Sequence, residues 1–131
     1  VHDIPATLQP FLHGAALGES MLEVLSSAKI SLNVHGNFMR YGGNMRLFEA
    51  AGIGTFQLVD NRPAVAEWFT IDEHLVVYDD LQDLQDKVGY YLAHDDERSA
   101  IAQAGCEHVI RHHTYDNRLQ TLENKLASIS L

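Results

Sequence analysis

The chain has 131 residues and a mass of 14.6 kDa, which fits one compact domain and leaves too little chain for two. Its 46% of apolar and 21% of charged residues are ordinary for a globular fold, and they exclude a collagen-like, disordered or disulfide-bonded chain. Eighteen acidic and nine basic side chains give a net charge of −9, so we expect no nucleic-acid partner. No apolar stretch is long enough to predict a membrane span.

The only cysteine and the start of the chain predict the setting of the protein. Cys106 has no partner for an internal disulfide, which favours a reducing compartment, the cytoplasm. The chain starts at Val1, and no cationic and apolar leader pattern follows. We therefore expect the chain to be a piece of a longer protein.

Hydrophobic periodicity and turn residues divide the chain into alternating helices and strands. Residues 1–18 are predicted to be irregular, because prolines and glycines interrupt them. Asp60 precedes a first-turn proline and is predicted to cap the helix that follows it. The predicted elements are helix 19–28, strand 29–35, helix 45–51, strand 55–59, a helix ending at residue 69, strand 75–78, and helices that follow residues 80, 94 and 114.

Strands that alternate with helices predict parallel βαβ units. The sequence therefore indicates an α/β fold, a Rossmann-like three-layer domain with a parallel sheet. In open sheets of this kind, ligands bind in the crevice beyond the carboxyl ends of the strands.

The best place for such a crevice is the end of the first strand with the loop and helix that follow. The strand ends at residues 33–35, the loop of residues 36–43 is rich in glycine, and a helix follows Asn44. Glycines let a ligand approach the backbone closely, and amides at a helix N-terminus attract phosphate. Arg46 adds a charge-assisted donor, and Glu49 can accept two hydrogen bonds from a ribose diol.

Two simpler interpretations stay open from the residues alone. The glycines can form an ordinary turn, and Arg46 with Glu49 can be a surface ion pair on a helix. A metal site is a separate hypothesis, because His108 and His112 have a spacing that can bind zinc on a helix, although no third ligand follows from the spacing.

Several short motifs, in order across residues 18–125, carry a resemblance to a known family. They begin with the strand Lys29-Ile-Ser-Leu-Asn-Val-His35, the segment Asn44-Met-Arg-Leu-Phe-Glu-Ala50, Gly54, and a strand that ends at Asp60. They continue with Val77-Tyr-Asp-Asp-Leu81, Tyr90-Tyr-Leu92, residues 94–98, Ile101-Ala-Gln-Ala-Gly105, His113-Thr-Tyr115 and Arg118. In these motifs the chain resembles the C-terminal half of the spore-maturation (CgeB-like) glycosyltransferases, which are similar to the group-one glycosyltransferases.

The resemblance implies a GT-B architecture of two Rossmann-like domains, of which residues 1–131 form most of the second, donor-binding domain. That domain would bind a nucleotide-sugar, and an N-terminal domain absent from this chain would hold the acceptor. Hexosyl transfer would need both halves, so we expect the isolated fragment to be inactive. Enzymes of this kind usually need no metal or other cofactor, because helix amides and basic side chains stabilise the diphosphate.

The resemblance also implies roles for individual residues. Glu49 matches a glutamate that accepts hydrogen bonds from the ribose, and Asn44 and Arg46 match the diphosphate end of the site. Tyr41 stands where related families have an earlier glutamate, which leaves the sugar-contacting chemistry open and favours, as the alternative, a non-catalytic nucleotide- or sugar-binding module. The full set of expected donor-binding residues is Asn33, His35, Gly43, Asn44, Arg46 and Glu49. The sugar, the nucleotide base, the acceptor and the stereochemical course stay undetermined.

Overall fold

The computed structural model describes residues 5–129. Before the first helix, residues 5–18 hold one short 3₁₀ turn, Gln9–Phe11. The elements that follow are α1 (Glu19–Ser27), β1 (Ser31–Asn33), α2 (Arg46–Gly52), β2 (Gln57–Asp60), α3 (Pro63–Trp68), β3 (Val76–Tyr78), α4 (Leu81–Ala93), α5 (Asp95–His112) and α6 (Tyr115–Ile129). The predicted helices and strands are all present, and the strands are shorter than their apolar runs.

The three strands form an open, parallel sheet in the order β1-β2-β3. Leu32 of β1 lies beside Leu58 of β2, and Leu58 lies beside Val76 of β3. Because each parallel neighbour needs a crossover, α2 connects β1 to β2 and α3 connects β2 to β3. The α/β fold with a parallel, Rossmann-like sheet is confirmed.

Apolar side chains cover both faces of β2 and β3, whereas Leu32 of the edge strand β1 is about half exposed. Leu58 and Val76 belong to one core cluster, which includes buried residues of α4 and α5, and Val59 and Val77 belong to a second cluster, which includes residues of α2 and α3. Successive side chains of a strand point to opposite faces, so near-continuous apolar runs are what a strand buried on both sides requires. The result is a sheet between two helical layers.

The start of α4 has a side-chain cap, and the start of α3 lacks the cap that the sequence predicts. The Asp80 carboxylate accepts a hydrogen bond from the Asp83 N–H at 2.9 Å and caps α4, the helix that the sequence predicts after residue 80. The expected cap of α3 by Asp60 is wrong: α3 starts at Pro63 after Arg62, without a side-chain cap. Asp60 is used instead in a contact with β1, described below.

Within residues 5–129, no helix combines the length and the apolar character needed to cross a membrane.

Candidate functional site

The candidate site lies at the carboxyl edge of the sheet, where β1 and β2 end next to each other. His35 follows β1, and Asp60 is the last residue of β2. The His35 backbone N–H donates to Asp60 Oδ1 at 2.9 Å, and His35 Nδ1 lies 2.6 Å from the same oxygen. Two neighbouring strand ends are therefore joined through side chains.

The His35 ring also holds the glycine loop. Its Nε2 accepts the Gly43 N–H at 3.0 Å and the Asn44 N–H at 3.4 Å. Because Nε2 is an acceptor, the ring proton is on Nδ1, where it is donated to Asp60. His35 is only 2% exposed and has both nitrogens in use, so in this structure it positions the loop and offers no free atom to a ligand.

Asp60 is held in its charged form by its neighbours. Burial by itself raises the pKa of the Asp60 carboxyl, but hydrogen bonds from His35 and Arg62 outweigh it and hold that pKa below its usual value. The Arg62 Nε donates to Asp60 Oδ2 at 2.8 Å, so each carboxylate oxygen has a donor. The sequence did not predict this role of Asp60. The available sign was that Asp60 ends one predicted strand and that His35 ends the preceding predicted strand, because neighbouring parallel strands end at the same edge of a sheet.

The loop between β1 and α2 can follow its path only because two of its residues are glycines. Gly42 and Gly43 have φ angles of +97° and +99°, which L-amino acids with side chains rarely adopt. A Cβ at Gly42 would lie 2.7 Å from Arg62 Cβ, and one at Gly43 would lie 2.5 Å from the Trp68 ring. The loop therefore presses directly on α3 and on the residue before it.

Asn33 and Asn44 connect β1 to the start of α2. The Asn33 amide donates to Asn44 Oδ1 at 3.1 Å, and the Asn44 amide donates back to Asn33 Oδ1 at 2.7 Å. Asn44 Oδ1 also accepts the Leu47 N–H, in the first turn of α2, at 3.2 Å. The two asparagines thus set where α2 begins and how it is oriented on the sheet.

Arg46 and Glu49, in the first turn of α2, differ from this buried network. Their side chains are 37% and 32% exposed, and Arg46 Nη1 lies 3.3 Å from Glu49 Oε2. The Arg46 guanidinium also contacts the Met21 sulfur of α1. Of the six expected binding residues, these two present charged atoms to solvent, and the other four are joined in the hydrogen-bonded network beneath them.

A mostly apolar cavity of about 490 Å³ opens beside Glu49, between α2 and the junction of α5 with α6. The Arg118 guanidinium lies 5.4 Å from the centre of the Phe48 ring, a cation–π geometry, and its Nη2 lies 3.2 Å from His113 Nδ1. The cavity is lined by Met45, Phe48, Glu49, Val109, His113, Tyr115 and Arg118. Spacing along the sequence gave no reason to place Arg118 in the same cavity as Glu49.

Tyr41, at the place of the missing glutamate, lies across the loop from α3. Its hydroxyl donates to the Glu67 carboxylate, and this hydrogen bond, with burial and the Glu67 charge, raises the pKa of the Tyr41 phenol above its usual value. Its backbone carbonyl accepts the Ala64 N–H at 3.0 Å. Tyr41 therefore ties the glycine loop to α3.

The histidines of α5 form a cluster without the geometry of a metal site. His108 Nε2 lies 2.7 Å from the Trp68 carbonyl oxygen, to which it donates its proton, so this nitrogen has no lone pair for a metal. His113 Nε2 lies 3.3 Å from the same oxygen. Among residues 5–129, no three His, Cys, Asp or Glu side chains are arranged to hold a metal ion.

A parallel sheet covered by helices on both faces, with a polar site at its carboxyl edge, defines the class of Rossmann-like α/β domains. Comparison with protein families is more specific, because the model of the family described as glycosyl transferase-like matches residues 10–124. The chain belongs to this family, which supports a role in glycosyl transfer. Searches of curated proteins and of solved structures gave no significant match.

Proposed function

We propose that this chain is the donor-binding domain of a glycosyltransferase that uses a nucleotide-sugar. The single observation that carries the proposal is the partly exposed Arg46–Glu49 pair at the carboxyl edge of a parallel sheet, in a chain of the glycosyl transferase-like family. Ligands of open α/β sheets bind at this edge. A guanidinium beside a carboxylate fits a nucleoside diphosphate, since the guanidinium can form an ion pair with phosphate and the carboxylate can accept hydrogen bonds from the ribose hydroxyls.

The buried network would act on the ligand indirectly. Asn33, His35 and Asn44 hold the glycine loop and the first turn of α2 in place. In the structure as it stands, the Gly43 and Asn44 amides donate to His35, so the positive group offered to a diphosphate is Arg46. We assign Asn33, His35, Gly43 and Asn44 a positioning role and assign direct contact to Arg46 and Glu49.

We further propose the finer identity that the sequence motifs favour, the donor half of a GT-B enzyme of the spore-maturation (CgeB-like) type. Transfer would then need an N-terminal half that holds the acceptor, and the isolated chain would transfer little or no sugar. No metal would be needed, because Arg46 would offset the charge that develops on the leaving diphosphate.

Calorimetric titration of the chain with UDP, GDP and ADP, without added metal, tests donor binding. We expect saturable binding of one nucleotide and at least about a tenfold loss of affinity in Glu49→Ala, because charge-assisted hydrogen bonds to the ribose are removed. Glu107→Ala is the matched control, since Glu107 is an exposed carboxylate on α5. Equal affinity of Glu49→Ala and the unsubstituted chain would remove Glu49 from the site.

The second candidate is a binding module that kept the fold and lost the chemistry. Its supporting observation is Tyr41, whose hydroxyl is bound to Glu67 at the place where related families have a glutamate. A full-length parent that binds the nucleotide-sugar but neither transfers nor hydrolyses it would favour this candidate. Donor turnover by the parent would favour the enzyme.

A further inference from the structure

Tyr41 and Glu67 form an exposed polar pair at the carboxyl edge of the sheet. Tyr41 belongs to the loop between β1 and α2, and Glu67 lies on α3, the helix that follows β2. The Tyr41 hydroxyl donates a hydrogen bond to the Glu67 carboxylate. Tyr41 is 55% exposed, and Glu67 is exposed as well. A ligand at this edge can therefore reach both side chains.

The backbone holds the two residues together without help from their side chains. The Ala64 N–H donates to the Tyr41 carbonyl oxygen at 3.0 Å. Ala64 and Glu67 are three residues apart and share a face of α3, the face turned to the loop. Gly43 fixes the loop further, because a Cβ there would lie 2.5 Å from the Trp68 ring. The pair is thus held ready for a ligand, and an exposed hydrogen bond of this kind adds little to the stability of the fold.

The hydrogen-bonding capacity of the pair fits the hydroxyls of a sugar. A carboxylate has about four lone-pair positions, of which the phenol of Tyr41 uses one, and the phenol oxygen can itself accept a hydrogen bond. Two neighbouring hydroxyls of a hexose can donate to one carboxylate, and the C–H face of a sugar can lie on an aromatic ring. The charge of Glu67 would repel a sugar that carries a carboxylate or a phosphate. The chemistry therefore favours an uncharged hexose.

The pair also lies on the side of Arg46 that a donor sugar would occupy. The proposed function assigns the ribose to Glu49 and the diphosphate to Arg46, and the diphosphate of a nucleotide-sugar lies between the ribose and the sugar. Residues 42–44 separate Tyr41 from the start of α2, and the amides of residues 43 and 44 both donate to the His35 ring. Tyr41 and the first turn of α2 therefore flank the same point at the end of β1.

We propose that Tyr41 and Glu67 bind the sugar of the nucleotide-sugar, and that this sugar is an uncharged hexose. Glu67 accepts hydrogen bonds from two neighbouring hydroxyls, and Tyr41 holds the carboxylate and supports the sugar ring. The inference rests on the proposed donor site at Arg46 and Glu49 and extends it beyond the diphosphate.

Calorimetric titration of the 131-residue chain with each nucleotide and its nucleotide-sugar tests the proposal. The pairs are UDP with UDP-glucose, GDP with GDP-mannose, and ADP with ADP-glucose. For the pair that binds, Glu67→Gln should weaken the nucleotide-sugar at least about fivefold, because hydrogen bonds to a charged acceptor are lost. The same variant should change the affinity for the nucleotide alone by less than about twofold.

Tyr41→Phe and Glu107→Gln complete the comparison. Tyr41→Phe keeps the ring and removes the hydroxyl, so it should weaken the nucleotide-sugar by about threefold and leave the nucleotide unchanged. Glu107→Gln removes an exposed carboxylate of α5 and should change neither affinity. All three residues are exposed, and unchanged thermal transitions of the variants check that the fold is kept.

The outcomes separate this inference from the proposed function. A Glu67→Gln chain that loses affinity for nucleotide and nucleotide-sugar alike would show that Glu67 only supports the loop, which overturns the inference. Equal affinity of this variant and the unsubstituted chain for the nucleotide-sugar overturns it too, and leaves the nucleotide site standing. A chain that binds none of the six compounds overturns the proposed function and this inference with it.

The charge of the sugar has a test of its own. UDP-glucuronate and GDP-mannuronate carry one carboxylate more than UDP-glucose and GDP-mannose. We expect the charged sugar to bind more weakly than its uncharged counterpart, and Glu67→Gln should narrow the difference, because the repelling carboxylate is removed. A charged sugar that binds as tightly as the uncharged one contradicts the assignment to an uncharged hexose.

Discussion

His35 connects more of the candidate site than any other residue. One ring joins the ends of β1 and β2 through Asp60 and holds the glycine loop through the Gly43 amide. Both bonds are shielded from water, where a lost hydrogen bond leaves its partner unsatisfied and costs more than in solvent. The order of the loop, and with it the position of α2, should depend on this ring.

His35→Ala should lower the free energy of unfolding by about 3 kcal/mol, because it leaves the Asp60 carboxylate and the Gly43 amide without their partner. Denaturant titration monitored by circular dichroism measures the change. His13→Ala, at an exposed position, should change stability by less than about 0.5 kcal/mol. A His35→Ala protein as stable as this control would show that the ring does not hold the loop.

The role of Asp60 illustrates what the sequence could and could not predict at this scale. The amino-acid pattern located the carboxyl edge, the loop and the residues in it. It assigned Asp60 to the helix that follows, because capping is a local interaction that spacing along the chain can indicate. The His35–Asp60 bond joins residues 25 positions apart and exists only once β1 and β2 are paired in register.

Among the elements, α5 contributes to both core clusters and depends on one close approach. Gly105 lies against the backbone of His74, before β3, and a Cβ there would overlap the His74 carbonyl oxygen. The sequence predicted a helix after residue 94, but it gave no sign that Gly105 had to be a glycine. That requirement comes from the distance between a helix and a backbone distant in sequence.

Gly105→Ala should destabilise the protein by about 1 to 3 kcal/mol, because the helix must shift away from a carbonyl that cannot yield easily. The matched control is Gly89→Ala in α4, where the added methyl meets no atom within 4 Å. That change should be neutral or should stabilise by up to about 1 kcal/mol, since alanine favours helix. Similar midpoints in urea for the two variants would contradict the close approach.

The C-terminal end of α5 should make the fold sensitive to mild acid. Burial is the main reason that the pKa of His113 is lowered. The hydrogen bond to the Trp68 carbonyl raises this pKa, and the positive charges of His108, Arg118 and His112 lower it further. Burial also lowers the pKa of His74. The charges of His108 and His112 lower this pKa further, and the negative charge of Glu73 raises it. The unfolded chain therefore binds more protons than the folded chain just below the ordinary histidine pKa of 6.5.

Stability should be highest at about pH 7.5, where histidine is neutral in both the folded and the unfolded chain, and should fall as the pH is lowered through 6.5 to about 5. Thermal unfolding at the highest and the lowest of these values measures the loss, and His113→Gln should lose less than the unsubstituted protein. His13→Gln, at an exposed position, should keep the full loss. A melting temperature that is the same at both pH values would contradict the assignment.

At the scale of the whole molecule, alternating strands and helices were enough to predict the parallel sheet, because each βαβ crossover follows from the order of elements. The exposed faces were less predictable. Leu119, Leu122, Leu126 and Ile129 of α6 have the spacing of a core-facing helix, and nothing in that spacing reveals that they are exposed in the described part of the chain. Burial is a property of the assembled chain.

The central claim is that the first turn of α2 binds a nucleoside diphosphate. The most direct test is a two-dimensional amide spectrum of the chain during titration with UDP, GDP and ADP. We predict that one nucleotide shifts a contiguous set of amides at residues 43–49 and that Glu49→Ala removes most of these shifts. The contradicting result is no saturable shift at those residues, or shifts gathered instead at the opposite edge, where Lys29 and Arg98 line a cavity of about 410 Å³.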